Sequence, residues 1–263
     1  MRDTAELEPG EPGGAGTVVA GIPCFNTAAH IADVVARTRP YVDVVLVVDD
    51  GSTDGTGDIA AKAGATVVSH VTNMGYGCAI GSCFKYAYER GACVLVTVDG
   101  DGQHYPEDIP ALLKPIQDGV ASLVVGSRFL PGAEERRLGR VPAYRAFGIG
   151  VITLLFNFGA AWRVSDSQNG LRAYDRLAIG ELMPSSTSME ASVEILVAAR
   201  SKRIAVAEVP VGFRYHEGSS TLHPIPHGIR VACWVVWLRM RSLIGRCVCR
   251  SSCARQTPKH SRG

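Results

Sequence analysis

The sequence predicts an α/β fold with a Rossmann-like, mostly parallel sheet flanked by helices. The run at residues 93–98 is rich in β-branched residues, is bounded by glycines and lacks polar alternation, as is typical of a strand buried on both faces. A second apolar run, at 42–48, also predicts a strand, and both runs are followed by acidic residues and glycine. With 263 residues, 46% of them hydrophobic, the chain is long enough to bury the core of one large domain.

The elements follow in an alternating order that fits such a sheet. A helix is predicted to begin in the glycine-containing segment at 73–77. The segment at 165–174 is polar in its first part and resembles a strand in its second part. Strands are predicted at residues 17–22, 42–48, 65–70, 93–98, 122–125 and 204–213, and helices at residues 27–39, 106–118, 146–162 and 188–201.

The two ends of the chain differ in composition from the part between them. Residues 1–16 are acidic, rich in Gly and Pro and without an apolar segment, which predicts a disordered arm and not a secretory signal. The lack of a secretory signal predicts a cytoplasmic location, and the eight cysteines show no disulfide framework, so reduced thiols are expected. The predicted catalytic domain covers residues 17–222.

The segment DGDGQH contains the first candidate site. Asp99 and Asp101 follow the strand at 93–98, and two carboxylates so close together repel each other unless a cation lies between them. Hard oxygen ligands in small number suit Mg²⁺ or Mn²⁺, which complete their shells with water and substrate phosphates. Gln103 and His104 can support that shell. A solvated acidic turn and purely acid–base carboxylates remain alternatives.

An EF-hand calcium loop is a further alternative for this segment, and it fits poorly. The sixth position of the loop is His104 where glycine is required, and the twelfth is Pro110 where glutamate is required. The preceding element is also a predicted strand and not a helix.

Other strand ends carry polar residues too. Asp49 and Asp50 end the strand at 42–48, and Arg128 follows the strand at 122–125. Ligands bind at the carboxyl ends of strands in open α/β sheets, and a guanidinium there suits a phosphate, although it can also pair with Asp99 or Asp101.

The segment NMGYGCAIG contains Gly75, Gly77 and Gly81, whose spacing misses the dinucleotide-binding fingerprint by one residue. Glycines at the start of a helix nevertheless let a phosphate or sugar approach the backbone amides.

The carboxyl-terminal part predicts a partner with an anionic surface. No acidic residue follows Glu217, whereas eight lysines and arginines do. A membrane is favoured over nucleic acid because no aromatic-interleaved RNA motif accompanies these charges. Residues 223–245 predict an amphipathic helix that lies on a membrane or packs on the core, and residues 246–263 predict a basic disordered tail whose cysteines match no common zinc module.

The uncharged stretch at 146–162 has 17 residues and includes three glycines, so it is too short to be favoured as a membrane span. A buried helix or one lying in the plane of a membrane surface is expected. The chain has no GxSxG elbow, HExxH motif or P-loop lysine motif, which argues against the usual hydrolases, metalloproteases and NTPases.

The ordered set of motifs resembles glycosyltransferase family 2, and within it the dolichol-phosphate mannosyltransferase group and its polyprenyl-phosphate relatives. The motifs are PCFN at 23–26, VVDDGSTDGT at 47–56, NMGYG at 73–77, VDGDGQHYPED at 98–108, VVGSRF at 124–129 and SDSQNGLRAY at 165–174. The resemblance implies a GT-A fold and inverting transfer of a hexose from a nucleotide sugar, GDP-mannose or a UDP-sugar, to a polyprenyl or dolichyl phosphate. It also implies Mg²⁺ or Mn²⁺, the cytoplasmic face of a membrane, no nucleic acid and, as one option, a membrane-protein partner.

The resemblance also assigns roles by position. It implies nucleotide contacts by Pro23, Phe25, Asn26, Asp49, Asp50 and Asp99, metal contacts by Asp99, Asp101 and Gln103, acceptor-phosphate contacts by Arg128, Arg145, Asp166 and Arg172, and direct participation in transfer by Asp101, Gln103 and Arg128. A lipid phosphate is already ionised and needs no general base. A hydroxyl acceptor would need one, with Asp166 or Asp108 as candidates. A catalytically silent module that binds Ca²⁺ or a partner is the alternative of a different class.

Overall fold

The computed structural model describes residues 16–133, 137–138, 143–158, 160 and 162–215, without the side chains of 137, 138 and 143–145. The predicted amino-terminal arm, apart from Gly16, the helix at 223–245 and the tail at 246–263 lie outside this part of the chain.

Seven strands form one sheet in the order β3-β2-β1-β4-β7-β5-β8. All neighbours are parallel except β7, which runs antiparallel between β4 and β5. The mostly parallel α/β sheet predicted from the sequence is therefore confirmed. The strands are β1 (Val18–Cys24), β2 (Val44–Asp49), β3 (Thr66–Ser69), β4 (Val94–Thr97), β5 (Leu123–Ser127), β7 (Arg172–Asp175) and β8 (Val206–Pro210), and a separate parallel pair consists of β6 (Arg137–Leu138) and β9 (Phe213–Arg214).

Helices cover both faces of the sheet, as expected for parallel strands. The strand β2 shows why: Leu46 and Val48 enter the core on one side, and Val45 and Val47 enter the core on the other. Helices α3, α5, α6 and α7 pack on the first side and α1, α2 and α4 on the second. The helices are α1 (Ile31–Thr38), α2 (Thr56–Lys62), α3 (Tyr76–Glu89), α4 (Ile109–Gln117), α5 (Ala143–Asn157), α6 (Arg176–Glu181) and α7 (Ala191–Ser201).

Several predicted elements have different bounds in the structure, and the helices predicted at 146–162 and 188–201 are observed at Ala143–Asn157 and Ala191–Ser201. The helix predicted at 27–39 begins only at Ile31, because the Thr27 carbonyl oxygen accepts the amides of His30 and Ile31 in a preceding turn. The strand predicted at 204–213 is broken after Pro210, where Gly212 N donates to Asp108 Oδ2 at 2.7 Å. The short helix α6 was not predicted.

Helix α5 corresponds to the uncharged stretch at 146–162. It buries Ile152 and Phe156 and exposes Phe147 and Leu154, so it has one face on the core and one in solvent. Within the part of the chain that the structure describes, no helix is long and apolar enough to cross a membrane.

The topology places the functional candidates at one edge of the sheet. The parallel strands β1, β2, β4 and β5 all end there, and the antiparallel strand β7 begins there. Both acidic turns, Arg128 and the segment before Arg172 therefore share this edge.

Candidate active site

The loop after β1 is fixed to the loop after β2. Asn26 adopts a left-handed backbone conformation with φ of 53°, and its Oδ1 accepts the amide of Thr53 at 2.9 Å. The amide of Asn26 in turn donates to Ser52 Oγ at 2.9 Å. Pro23 lies at the end of β1, and Phe25 projects at the rim with 39% of its surface exposed. This pair of loops holds an aromatic ring beside the acidic turn of β2.

Asp50 is buried and makes several hydrogen bonds at the start of α3. Its Oδ1 and Oδ2 accept the amides of Met74 and Gly75 at 2.9 and 2.8 Å, and His70 Nδ1 lies 2.6 Å from Oδ1. Asp49 Oδ1 accepts the amide of Ser52 at 3.1 Å. Asp50 therefore positions the NMGYG segment, and three of its lone-pair sites are already occupied by protein groups.

The glycines of NMGYG serve close packing of the backbone. A Cβ atom at Gly75 would lie 2.3 Å from the carbonyl oxygen of Thr187, and one at Gly77 would lie 1.9 Å from that of Ser186. Gly77 N also donates to Thr187 O at 3.0 Å. The expectation that a phosphate or sugar approaches this helix start is therefore wrong, because residues 186–187 occupy the space.

Gly77→Ala is expected to lower the free energy of unfolding by about 3 kcal/mol, because backbone and not a flexible side chain lies in the way of the methyl group. Urea unfolding of the full chain measures this. Gly148→Ala is the control: Gly148 lies in α5 with no described atom within 4 Å of the new Cβ, so the change should be neutral or stabilising by up to about 1 kcal/mol. Equal stabilities for the two variants would contradict the packing role.

The metal-site candidates lie in the loop after β4. Asp101 Oδ1 accepts the amide of Gln103 at 3.0 Å, and Tyr76 Oη donates to Asp99 Oδ1 at 3.3 Å. On the other side of Asp99, a Cβ atom at Gly170 would lie 2.5 Å from Oδ2. Asp99 is thus held between the start of α3 and the segment that leads into β7, whereas Asp101 is fixed by the amide of Gln103 within its own loop.

The electrostatics of this loop fit a bound divalent cation. Burial raises the pKa of Asp99 to about 6, although Tyr76 and the charges of Arg128 and Arg172 act in the opposite direction. Burial and the neighbouring charge of Asp99 raise the pKa of Asp101. Two partly desolvated carboxylates at this spacing are a favourable place for a positive charge.

The donor set also limits the kind of cation. Among the residues that the structure describes, no group of three or more His, Cys, Asp or Glu side chains could hold a metal ion. A Ca²⁺ cage built from protein alone would need about 6–8 oxygen ligands. Asp99 and Asp101 instead suit Mg²⁺ or Mn²⁺ that takes further ligands from a diphosphate and water.

Residues 211–214 contact the loop after β4 on its other side. Arg214 N donates to Gln103 O at 2.8 Å, and His104 forms an isolated antiparallel bridge with Phe213. The two rings meet edge-on with centroids 6.1 Å apart. Burial lowers the pKa of His104 to about 4, so the imidazole is neutral near pH 7. Gln103 and His104 are both buried here, which is consistent with support of the loop.

Arg128 and Asp166 form a buried, bidentate ion pair next to this loop. Arg128 Nε and Nη2 donate to Asp166 Oδ2 and Oδ1 at 2.7 and 2.9 Å. The Cζ atom of Arg128 lies 5.1 Å from the centroid of the Phe213 ring. Burial alone would raise the pKa of Asp166, but Arg128 outweighs it and lowers that pKa. Arg128 Nη1 makes no hydrogen bond to any residue that the structure describes.

Arg172 is placed behind the site. Its guanidinium is 1% exposed and donates to the carbonyl oxygens of Asn169, Ser192 and Ser167 at 2.8, 2.7 and 3.0 Å. These bonds fix the segment that carries Asp166, so the structure favours a positioning role over contact with an acceptor. Arg145 lies in the first turn of α5, and its side chain is outside the described part.

Four residues with contacts to the site were not among the predicted site residues. His70 and Tyr76 bind Asp50 and Asp99, Phe213 packs beside Arg128, and Glu208 accepts the amide of Asp166 at 3.2 Å. One signal for Glu208 was available in the sequence: it is a lone acid inside an apolar strand. The contacts of the other three join segments far apart in the chain.

With this geometry in view, comparison with known proteins assigns the family. Residues 20–182, more than half of the chain, match Glycosyl transferase family 2. The chain belongs to this family. The predicted family resemblance is therefore confirmed, and this family 2 protein is a glycosyltransferase.

Two relatives of this family 2 glycosyltransferase have names that refer to a dolichyl phosphate and a polyprenol monophosphate sugar. One is a UDP-N-acetylglucosamine–dolichyl-phosphate N-acetylglucosaminyltransferase from Methanococcus voltae, 31% identical over 75% of this chain and 86% of the relative. Another is a polyprenol monophosphomannose synthase from Mycolicibacterium smegmatis, 30% identical over 74% of this chain and 77% of the relative.

A solved structure confirms the GT-A fold of this family 2 glycosyltransferase. Glucosyl-3-phosphoglycerate synthase from Mycobacterium tuberculosis, crystallised with Mn²⁺, UDP and glucosyl-3-phosphoglycerate, superposes with a TM-score of 0.63. The match covers 84% of this chain and 77% of the synthase at 22% identity, so it bears on the fold alone.

Proposed function

We propose that this enzyme transfers a hexose from a nucleotide sugar to a polyprenyl or dolichyl phosphate, with inversion and with Mg²⁺ or Mn²⁺. The catalytic domain is residues 17–222, and the reaction takes place at the cytoplasmic face of a membrane. The names of the relatives in Methanococcus and Mycolicibacterium support this acceptor class.

The lack of an available general base among the two described candidates favours a phosphate acceptor over a hydroxyl acceptor. The two carboxylates named as general-base candidates for a hydroxyl acceptor, Asp166 and Asp108, are fully buried and already accept hydrogen bonds from the protein. Asp166 is bound to Arg128 with a lowered pKa, which makes it a weak base, and Asp108 Oδ2 accepts the amide of Gly212 at 2.7 Å. A phosphate monoester is largely ionised near pH 7 and attacks without losing a proton to the enzyme.

The donor end is the rim formed by the loops after β1, β2 and β4. Pro23, Phe25 and Asn26 would contact the nucleoside together with Asp49 and Asp50, and Phe25 offers an exposed ring on which a base can stack. The metal-site residues would be Asp99, Asp101 and Gln103, next to the diphosphate. A divalent cation bound there would neutralise charge that develops on the departing nucleoside diphosphate.

The acceptor end is the neighbourhood of Arg128. Asp166 fixes the plane of the guanidinium and engages Nε and Nη2, which leaves Nη1 for an acceptor phosphate. Arg145 would be a second cation for that phosphate. Because Asp166 and Arg128 share a buried position, the guanidinium is oriented before the acceptor arrives, which reduces the entropy lost on binding.

Helix α5 supports binding to a membrane surface beside this acceptor end. Thr153 Oγ1 lies 2.9 Å from Ser167 Oγ, so the helix packs on the segment that carries Asp166. Between residues 136 and 163 the sequence has five arginines and no acid, a charge that complements anionic lipids. The opposite side of the helix exposes an apolar stripe at helical spacing, which consists of Phe147, Val151, Leu154 and Phe158.

A double variant with Phe147→Ser and Leu154→Ser is expected to bind anionic vesicles about tenfold more weakly, because it removes two exposed apolar side chains from the stripe. Co-sedimentation with phosphatidylglycerol vesicles measures this, with Leu177→Ser as the control because Leu177 is 57% exposed on α6. Vesicle binding that equals the control would contradict a membrane role for α5.

The acceptor class is tested by incubating the full chain with Mn²⁺ or Mg²⁺ and a panel of nucleotide sugars in two arms. One arm contains a polyprenyl phosphate and the other contains the corresponding polyprenol. Glycolipid formed only from the phosphate is the expected result. Product from the polyprenol, or none from the phosphate with any donor, would overturn the proposed acceptor.

A further inference from the structure

Glu208 lies in β8, the strand at the edge of the sheet next to β5. Its two carboxylate oxygens each lie 2.8 Å from the amide of Ser165, and Oε1 also accepts Ser165 Oγ at 3.0 Å and the amide of Asp166 at 3.2 Å. One carboxylate therefore receives two consecutive backbone amides and a hydroxyl. Charge-assisted hydrogen bonds of this kind are about twice as strong as neutral ones.

The hydroxyl of Ser165 continues this network into β5. Ser165 Oγ lies 2.6 Å from Ser127 Oγ, and Ser127 Oγ accepts the amide of Phe129 at 3.1 Å. Ser127 and Phe129 flank Arg128 in the chain. The backbone on both sides of Arg128 is thus connected through Ser127 and Ser165 to the Glu208 carboxylate.

Asp166 supplies the second connection to Arg128. Its carboxylate accepts Arg128 Nε and Nη2 and, at 3.3 Å, the Arg128 backbone amide, while Oδ1 also accepts the amide of Gln168 at 3.2 Å. The position of the Asp166 carboxylate depends on its own backbone, which Glu208 holds. Both the backbone and the guanidinium of Arg128 are therefore fixed through Glu208.

We propose that Glu208 is a positioning residue for the acceptor: by holding Ser165 and Asp166 it fixes the guanidinium of Arg128 for the acceptor phosphate. This inference rests on the proposed function, in which Arg128 receives that phosphate. Glu208 itself contacts backbone and Ser165, and the donor residues Asp99 and Asp101 are not among its hydrogen-bond partners.

The position of Glu208 in the sheet predicts which kinetic constant changes. Glu208 pairs in register with Val125 of β5, on the far side of β7 from β4 and its metal loop. A loosened network would displace Arg128 and leave the loops after β1 and β2 in place. The Michaelis constant for the acceptor should therefore rise while the affinity for the nucleoside diphosphate stays the same.

Glu208→Gln tests this with little change in side-chain shape, because it removes the negative charge that strengthens these hydrogen bonds and replaces Oε2, which accepts the amide of Ser165, by an NH₂ group that cannot accept. We expect the KM for polyprenyl phosphate to rise about tenfold, with the affinity for UDP or GDP in the presence of Mn²⁺ unchanged in calorimetry. Ser165→Ala, which keeps the backbone amides, should raise the same KM by a smaller factor and remains informative if Glu208→Gln folds poorly.

Glu194→Gln is the matched control. Glu194 makes the same kind of contacts, since it accepts the amides of Ser185 and Ser186 at 3.0 and 2.8 Å and also the Ser185 hydroxyl. It should lower stability without changing the acceptor KM. If the wild-type enzyme transfers sugar and Glu208→Gln keeps a wild-type acceptor KM, the positioning role is overturned alone. If the wild-type enzyme transfers nothing to the lipid phosphate, the proposed function is overturned and this inference with it.

Discussion

Asp101→Ala is expected to lower the rate of sugar transfer by at least about a hundredfold, because it removes one of the two carboxylates that we propose hold a divalent cation. The fold should survive, since the Asp101 carboxylate accepts a hydrogen bond from the amide of Gln103, which lies in the same loop. In calorimetry, wild-type enzyme should bind Mn²⁺ more tightly when a nucleoside diphosphate is present. The variant should lose this coupling.

Two controls separate a metal role from a general effect on the protein. Asp118→Asn changes an exposed aspartate that pairs with Lys114 on α4, so it should keep wild-type transfer and metal binding. Excess chelator should inhibit the wild-type enzyme, and added Mn²⁺ should restore activity. Full transfer by Asp101→Ala, or full activity in chelator, would rule out the metal role.

Arg128→Met is expected to abolish transfer and also to lower the free energy of unfolding by about 3–5 kcal/mol. The loss of stability arises because Asp166 is fully buried and would keep its charge without its partner. Urea unfolding and acceptor kinetics on the same preparation measure the two effects separately.

The double variant with Arg128→Met and Asp166→Asn tests the cause of that destabilisation. Removing the buried negative charge should recover most of the lost stability, since Asn still offers an oxygen to the amide of Gln168. Transfer should remain absent because the guanidinium is still missing. Recovery of transfer in the double variant would show that Arg128 has only a structural role.

The sequence predicts the location of the site well because one rule of sheet geometry is enough. Carboxyl ends of parallel strands meet at one edge, so Asp49, Asp50, Asp99 and Asp101 could be placed together from their strand-end positions. The family resemblance rests on the same segments and is confirmed by the family match over residues 20–182.

The roles that the sequence could not separate depend on contacts between distant segments. Arg172 was expected at the acceptor, but the carbonyl oxygen of Ser192, twenty residues later, is one of its partners. The glycines of NMGYG suggested phosphate access, and only the position of residues 186–187 shows that backbone fills that space. A four-residue strand such as β7 also carries no local signal for its direction.

The central position of β7 has a consequence for how the chain folds. Strands β4 and β5 are separated by β7, whose residues follow β5 by more than forty positions, so neither edge is covered when residues 16–127 have left the ribosome. Exposed edges of apolar strands are templates for pairing with other chains. The half of the protein that contains both acidic turns therefore cannot complete its sheet by itself, and the gap between β4 and β5 is filled only after residues 172–175 have been synthesised.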